Sequence, residues 1–246
     1  MPRPPHASKD ARDRDVELEL AQDIHTLRHR KGDTGASSPV AWALSLTNKE
    51  RGPKKGSILW RVSVALAKLV LAEHFYPPPV AVVPSLSALR VLELGSGTGF
   101  LACVLAPLVR AWTCTDQEHN VRLARRNVSR VAPAAQVEYE HLDWLDARPA
   151  MCATTTADDD DDYDLVLACD TIYNAPLAEP LARTITAQKC STALVANELR
   201  DSETAQLFAS SMLRHGWQLH RLILDDGYSA LFELASPAFA LWLATR

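Results

Sequence analysis

Residues 90–100 read R-V-L-E-L-G-S-G-T-G-F and are the most informative segment of the chain. It belongs to a short, almost wholly apolar run from Leu89 to Leu94 that stops abruptly at glycines. Such a run is typical of a buried parallel strand that ends in a tight turn. Apolar residues then recur at helical spacing from Phe100 to Leu108. The glycines therefore lie at a strand-to-helix corner, where outward-pointing backbone N–H groups let a ligand approach closely.

The spacing of these glycines indicates which ligand fits. Gly95, Gly97 and Gly99 alternate, whereas a dinucleotide fingerprint needs a third small residue at the position of Phe100. The stretch also lacks the Gly-Lys-Ser/Thr ending of a P-loop. We therefore predict a cofactor without a phosphate chain; the alternative is a corner that only turns the chain.

Carboxylates stand on both sides of the glycine corner. Glu93 precedes it and Asp116 follows the next predicted strand, and the pair suits a ligand that carries an ammonium and a ribose diol. Asp143 and Trp144 follow a third predicted strand, 137–142, at the same sheet edge. An acid beside an aromatic ring can bond an adenine amino group and pack on its ring. The alternative is that Trp144 belongs to the core.

A second stretch that carries chemistry is residues 163–174, Y-D-L-V-L-A-C-D-T-I-Y-N. The run from Leu165 to Cys169 predicts another buried parallel strand. Asp170 and Tyr173 follow its carboxyl end, which is where ligands bind in open α/β sheets. A carboxylate and a phenol are therefore expected together at the rim of the site.

These motifs resemble known enzymes. The run E-L-G-S-G-T-G at 93–99, followed by Asp116, resembles the seven-strand S-adenosylmethionine-dependent methyltransferases. Together with the D-x-x-Y motif at 170–173, it resembles the methyltransferase-like group of protein-lysine methyltransferases over about residues 16–235. The segments Ser37–Trp42 and Cys114–Gln117 look most like fungal ribosomal lysine N-methyltransferases.

The resemblance implies a fold, a reaction and a set of site residues. The fold is a Rossmann-like seven-stranded sheet, mostly parallel with one antiparallel strand. The reaction is S-adenosylmethionine-dependent methylation of a protein lysine, on a large-subunit ribosomal protein. The implied cofactor contacts are Trp60, Gly95, Ser96, Gly97, Asp116, Trp144 and Cys169. Asp170 and Tyr173 are implied to position the target lysine, and our interpretation of the motifs adds Glu93, Gly99 and Asp143 to the cofactor set.

The chain divides into three predicted parts. Residues 1–15 are proline-rich and charged and are predicted to be disordered. Residues 16–56 alternate between apolar and polar runs and predict a β-hairpin-like addition. Residues 57–246 form the methyltransferase domain, which opens with a helix that ends before Pro77. Trp60 at the start of that helix belongs either to the core or to a lid over the cofactor.

The remaining segments have less specific patterns. The five carboxylates of 158–162 repel one another and predict a mobile solvated loop, or alternatively a docking site for a basic protein. Segments 217–224 and 228–234 predict two strands of a hairpin, after which the apolar tail from 239 to 243 packs back on the domain. Arg200, near the end of a strand at 193–198, suits a structural salt bridge better than catalysis.

Composition narrows the class further. At 246 residues and a net charge of −4, the chain carries no overall charge pattern for direct nucleic-acid readout. Five cysteines without a C-x-x-C pair indicate neither disulfides nor a metal site. Without a signal core or membrane span, we predict a cytoplasmic monomer that binds no membrane. The alternatives are a methyltransferase for another protein or small molecule, or a non-catalytic S-adenosylmethionine-binding module.

Overall fold

The structure is a computed structural model, and it describes residues 59–75, 85–146, 163–222 and 239–246. Several predictions lie outside these ranges. They are the disordered N-terminus, the hairpin-like addition at 16–56, the acidic run at 158–162 and the strand at 228–234.

Helices and strands alternate along the described chain. The α-helices are α1 (Arg61–Phe75), α2 (Phe100–Leu105), α3 (Glu118–Val131), α4 (Ala175–Ala187) and α5 (Ser202–Arg214). The strands are β1 (Arg90–Leu94), β2 (Ala111–Asp116), β3 (Val137–His141), β4 (Leu165–Cys169), β5 (Thr192–Glu198), β6 (Gln218–Arg221) and β7 (Phe239–Thr245). None of the helices in the described ranges is both long and apolar enough to cross a membrane.

The strands form one seven-stranded sheet in the order β3-β2-β1-β4-β5-β7-β6. The neighbouring pairs from β3 to β5 are parallel, whereas β7 is antiparallel to both β5 and β6. The predicted Rossmann-like sheet with one reversed strand is therefore confirmed.

The reversed strand is the C-terminal tail. We expected the apolar tail only to pack back on the domain, but β7 pairs with β5 from Thr192↔Thr245 to Glu198↔Phe239. Ala240 and Leu241 are buried on opposite faces of the sheet. A strand that is covered on both faces has a continuous apolar run instead of an alternating one. This segment therefore lacks the alternating pattern by which a strand is usually predicted.

Helices cover both faces of the sheet. Successive residues of a strand point to opposite faces, so Leu165 and Leu167 join a core with α1 and α2 while Val166 and Ala168 join a second core with α4 and α5. The result is a three-layer α/β/α domain.

The strand order places a crevice beside the glycine corner. The chain moves outward from β1 to β3 and then returns to the other side of β1 with β4. Leu94 pairs with Thr115 on one side and with Ala168 on the other. The carboxyl ends of these three central strands therefore lie level at the switch point, where open α/β sheets bind ligands.

Candidate active site

The β1–α2 corner is built from glycines in left-handed backbone conformations. The φ angles of Gly95, Gly97 and Gly99 are 73°, 53° and 74°. The backbone amides of Gly95 and Ser96 both donate to the Thr115 carbonyl at 2.9 Å. These two backbone bonds fix the start of the turn to the end of β2.

Two of these glycines are also enclosed by neighbours. A Cβ on Gly95 would lie 3.0 Å from the Thr171 methyl group and 3.2 Å from the Trp144 ring. A Cβ on Gly99 would lie 2.9 Å from the Cα of Ala124, in α3. The absence of a side chain at Gly95 therefore leaves room for Thr171 and Trp144 in the crevice, whereas Gly99 lets α2 pack against α3.

Asp116 ends β2 and organises the next turn. Its Oδ2 accepts from the Gly97 amide at 2.8 Å, and its Oδ1 accepts from the Gln117 amide at 2.7 Å and from Asn120 Nδ2 at 2.9 Å. These bonds hold the carboxylate beside the glycine corner, as the sequence predicts. Asn120 Oδ1 is buried and has no hydrogen-bond partner in the described structure.

Trp144 is carried by a short turn after β3. The Leu145 amide donates to Asp143 Oδ1 at 2.9 Å. Arg183 from α4 donates to the Trp144 and Asp146 carbonyls at 3.2 and 3.1 Å. Hydrogen bonds to the surrounding turn therefore position the Trp144 ring. The ring's own Nε1 is buried without a partner among the described residues.

Asp170 occupies the β4 corner in a left-handed conformation with a φ of 54°. Its side chain is only 1% exposed, and its Oδ2 accepts from Arg200 Nη2 at 2.7 Å. Its Oδ1 is buried and has no hydrogen-bond partner within the described residues. Burial raises the pKa of this carboxyl above its ordinary value, and Arg200 limits the rise.

Asn197 fixes the residues between Asp170 and Tyr173. Its Oδ1 accepts from the Ile172 amide at 2.8 Å, and its Nδ2 donates to the Ile172 carbonyl at 2.9 Å. Tyr173 follows at the rim and is 45% exposed. Burial raises the pKa of its phenol, with further contributions from Asp116 and Asp170.

Arg200 connects the β4 corner to α1. Besides Asp170, it donates to Glu198 Oε2 at 2.9 Å, and its guanidinium lies 4.9 Å from the Trp60 ring centroid. The salt bridge that we expected is therefore present, but it stands at the site itself. Sequence reasoning missed this pairing, although Arg200 follows the carboxyl end of a strand, where site residues are expected.

These groups surround one cavity of about 660 Å³. The predicted site residues that line it are Trp60, Gly95, Gly97, Asp116, Asp143, Trp144, Cys169, Asp170 and Tyr173. The lining also includes Asn120, Thr171 and Arg200, which we did not predict as site residues. Glu93, Ser96 and Gly99 were predicted to contact the cofactor but do not line the cavity.

Glu93 lies on the same face of the sheet as Val91, Trp112 and Cys114, which is covered by helices. It is 2% exposed, and its carboxyl accepts from Trp112 Nε1 at 2.9 Å. Burial raises its pKa to about 8. Burial therefore favours the protonated form of Glu93, which ties β1 to β2 behind the corner.

The cavity fits S-adenosylmethionine on two observations. Buried polar atoms without a partner lie in residues along its wall: Asn120 Oδ1, Trp144 Nε1, Asp170 Oδ1 and Thr171 Oγ1. An unsatisfied buried polar atom is costly, so these atoms suit a ligand that is rich in donors and acceptors. The lining carboxylates also outnumber the lining cations, which favours a ligand with an ammonium and a sulfonium.

Four features define a class I S-adenosylmethionine-dependent methyltransferase. They are the mostly parallel sheet, the glycine corner after β1, the acid that ends β2 and the cavity across the switch point. The sequence profile of the lysine methyltransferase family matches residues 41–214, and the chain belongs to this family.

Solved structures share this fold. Mitomycin 7-O-methyltransferase MmcR is 16% identical with a TM-score of 0.56, over 99% of this chain and 73% of that one. A putative RNA methyltransferase from Pyrococcus horikoshii is 13% identical with a TM-score of 0.51, over 85% of this chain and 96% of that one. A search of curated proteins found no significant match.

Proposed function

We propose that this chain is a protein-lysine N-methyltransferase. The observation that carries the proposal is Asp170, a buried carboxylate in the wall of the cavity that has one oxygen engaged by Arg200 and the other without a partner. An amine that enters from the Tyr173 rim supplies the donor that this oxygen lacks. Membership of the lysine methyltransferase family supports the same substrate.

The cofactor would be held along the carboxyl ends of β1, β2 and β3. Asp116 would bind the ribose hydroxyls, and Gly95 and Gly97 would allow close approach of the ligand to the backbone. Asp143 and Trp144 would bind the adenine by a hydrogen bond and by ring packing. Trp60 and Cys169 would contact the end of the cofactor that lies nearest to Asp170.

Bound S-adenosylmethionine supplies an electrophilic methyl group on a sulfonium sulfur. The part of this chain is to deliver a neutral amine in line with it. Asp170 Oδ1 accepts one N–H of the lysine amine and so directs the nitrogen lone pair into the cavity. The carboxylate also stabilises the positive charge that develops on the nitrogen. The Tyr173 ring forms a wall of the entrance and excludes water.

We further propose that the acceptor is a large-subunit ribosomal protein in the cytoplasm. This proposal rests on the sequence resemblance to fungal ribosomal lysine N-methyltransferase 5, which includes the segment Ser37–Trp42. The carboxylates of the cavity wall support a basic protein as the acceptor, because they attract its lysines.

The test is transfer of a radioactive methyl group into unmethylated large ribosomal subunits and into a whole-cell extract. The Asp116→Ala variant serves as the control without cofactor binding. We expect one labelled ribosomal protein whose hydrolysate contains methyl-lysine. Label in another protein retains the lysine proposal and excludes the ribosomal one. Label only in small molecules, or cofactor binding without transfer, excludes both.

A further inference from the structure

We propose that Arg200 is a positioning residue for the methyl-transfer reaction and acts through Asp170. This inference rests on the proposed function. Arg200 lies 30 positions after Asp170 in the sequence, yet its Nη2 is 2.7 Å from Asp170 Oδ2. The two residues meet because β4 and β5 pair in register, with Cys169 opposite Ala196.

The guanidinium is itself held from three sides. It bonds Asp170 and Glu198 and stacks on the Trp60 ring at 4.9 Å. Arg200 is 34% exposed on its side chain, whereas the side chain of Asp170 is 1% exposed. Arg200 therefore fixes the position of the buried Asp170. Arg200 is in turn held by the Trp60 ring, which also lines the cavity.

This arrangement determines which oxygen of Asp170 serves the substrate. Arg200 engages Oδ2 and so fixes the rotation of the carboxylate, which leaves Oδ1 as the oxygen without a hydrogen-bond partner in the described structure. A single available acceptor orients the amine better than a freely rotating carboxylate would. Arg200 thereby converts Asp170 from a general negative charge into a directed acceptor.

Arg200 also opposes the effect of burial on Asp170. Burial favours the protonated carboxyl, and a protonated Asp170 would not stabilise charge on the amine. The guanidinium favours the ionised form. The ionisable groups that influence Asp170 or are influenced by it are Arg200, Glu198, Cys169 and Tyr173.

The experiment compares Arg200→Met, Arg200→Lys and Asp170→Asn with the native enzyme, using the labelled acceptor protein. We expect Arg200→Met to lower kcat by about 30-fold, and Arg200→Lys to recover most of that loss because it restores a cation. Calorimetry with S-adenosylhomocysteine should give a Kd within about threefold of the native value for each variant. In the Asp170→Asn background, Arg200→Met should add less than a further threefold loss, because its target is already neutral.

The matched control is Arg214→Met. Arg214 makes an ion pair with Glu179 at 2.8 Å, close in length to the Arg200 pair, but it lies on α5 away from the cavity. We expect native kinetics from it. A loss equal to that of Arg200→Met, or an Arg200→Met effect that persists undiminished in the Asp170→Asn background, would overturn the proposal.

A readout that needs no transfer separates this inference from the proposed function. Carboxyl carbon NMR follows the titration of Asp170, whose signal is assigned by its loss in Asp170→Asn. Arg200→Met should raise the pKa of Asp170 above that of the native protein, because the cation that favours the ionised carboxyl is removed. An unchanged pKa would refute the inference even when methylation proceeds. A raised pKa without transfer to any lysine would retain the contact and refute the lysine proposal.

Discussion

The strand-to-helix corners after β1 and β4 both line the cavity, but they are held by different kinds of contact. The β1 corner uses backbone: its amides bond the Thr115 carbonyl and the Asp116 carboxylate, and Glu93 behind it is buried and neutral. The β4 corner uses side chains: Asp170 is buried beside a cation and keeps an oxygen without a partner. The bonds within the β1 corner hold its shape, whereas the β4 corner presents a carboxylate oxygen without a partner, which suits chemistry.

The largest effect that tests this contrast is on Asp170. Asp170→Asn preserves shape and suits the left-handed backbone at this position, which asparagine tolerates. We expect kcat to fall about a thousandfold, or about 4 kcal/mol, because the charge that stabilises the amine is lost. The binding of S-adenosylhomocysteine should stay within a few-fold. An equal loss of binding would show that Asp170 serves the cofactor instead.

The second effect is on the pH dependence of stability through Glu93. Its pKa is about 8 in the folded protein and about 4.5 in the unfolded chain. Between these values only the unfolded chain releases the proton, so the free energy of unfolding decreases as the pH rises. Glu93→Gln removes this titration and keeps an acceptor for Trp112.

Chemical unfolding at a series of pH values measures this effect. We expect Glu93→Gln to gain about 4 kcal/mol on the native protein between pH 4.5 and pH 8. The gain should be absent below pH 4.5, where both states hold the proton. If the two proteins kept a constant difference across that range, the neutral state of Glu93 would be refuted.

The third effect separates the two uses of glycine at the β1 corner. Gly99→Ala brings a Cβ to 2.9 Å from α3 backbone, and we expect a loss of about 2–3 kcal/mol in the free energy of unfolding. Gly216 is the matched control, because it also has a positive φ, of 85°, but has open space around it. Gly216→Ala should cost only about 1 kcal/mol. Equal losses would assign the effect to backbone conformation and not to packing.

Local sequence patterns predicted most of this structure. Glycine spacing and apolar runs located β1, β2 and β4, and the motif residues around them meet at the cavity. The role of Glu93 was less visible. Because Glu93 alternates with Leu92 and Leu94, it shares the face of Val91, which faces the core. Its place inside an apolar run, in a strand that is buried on both faces, is the signal that favours a buried position over a ligand contact.

Long-range pairing could not be predicted in the same way. The contact between Asp170 and Arg200 depends on β4 and β5 being neighbours in a fixed register, and neither local segment encodes that order. The same holds for β7, which inserts between β5 and β6 although it is the last strand in the chain. Strand order is decided by how all elements bury their apolar faces together.

The smallest effect tests whether an unsatisfied atom awaits a ligand. Trp144→Phe removes the buried Nε1, which has no partner in the described structure, and keeps an aromatic ring against Gly95. The loss of an unsatisfied donor offsets the lost ring area, so we expect the melting temperature of the ligand-free protein to change by less than about 2 °C. The Kd for S-adenosylhomocysteine should rise about fivefold, because a ligand acceptor loses its donor. A destabilised protein with unchanged binding would mean that Trp144 is a core residue. Its unpartnered Nε1 would then not mark a ligand contact, and that interpretation of unpartnered atoms would rest on Asp170.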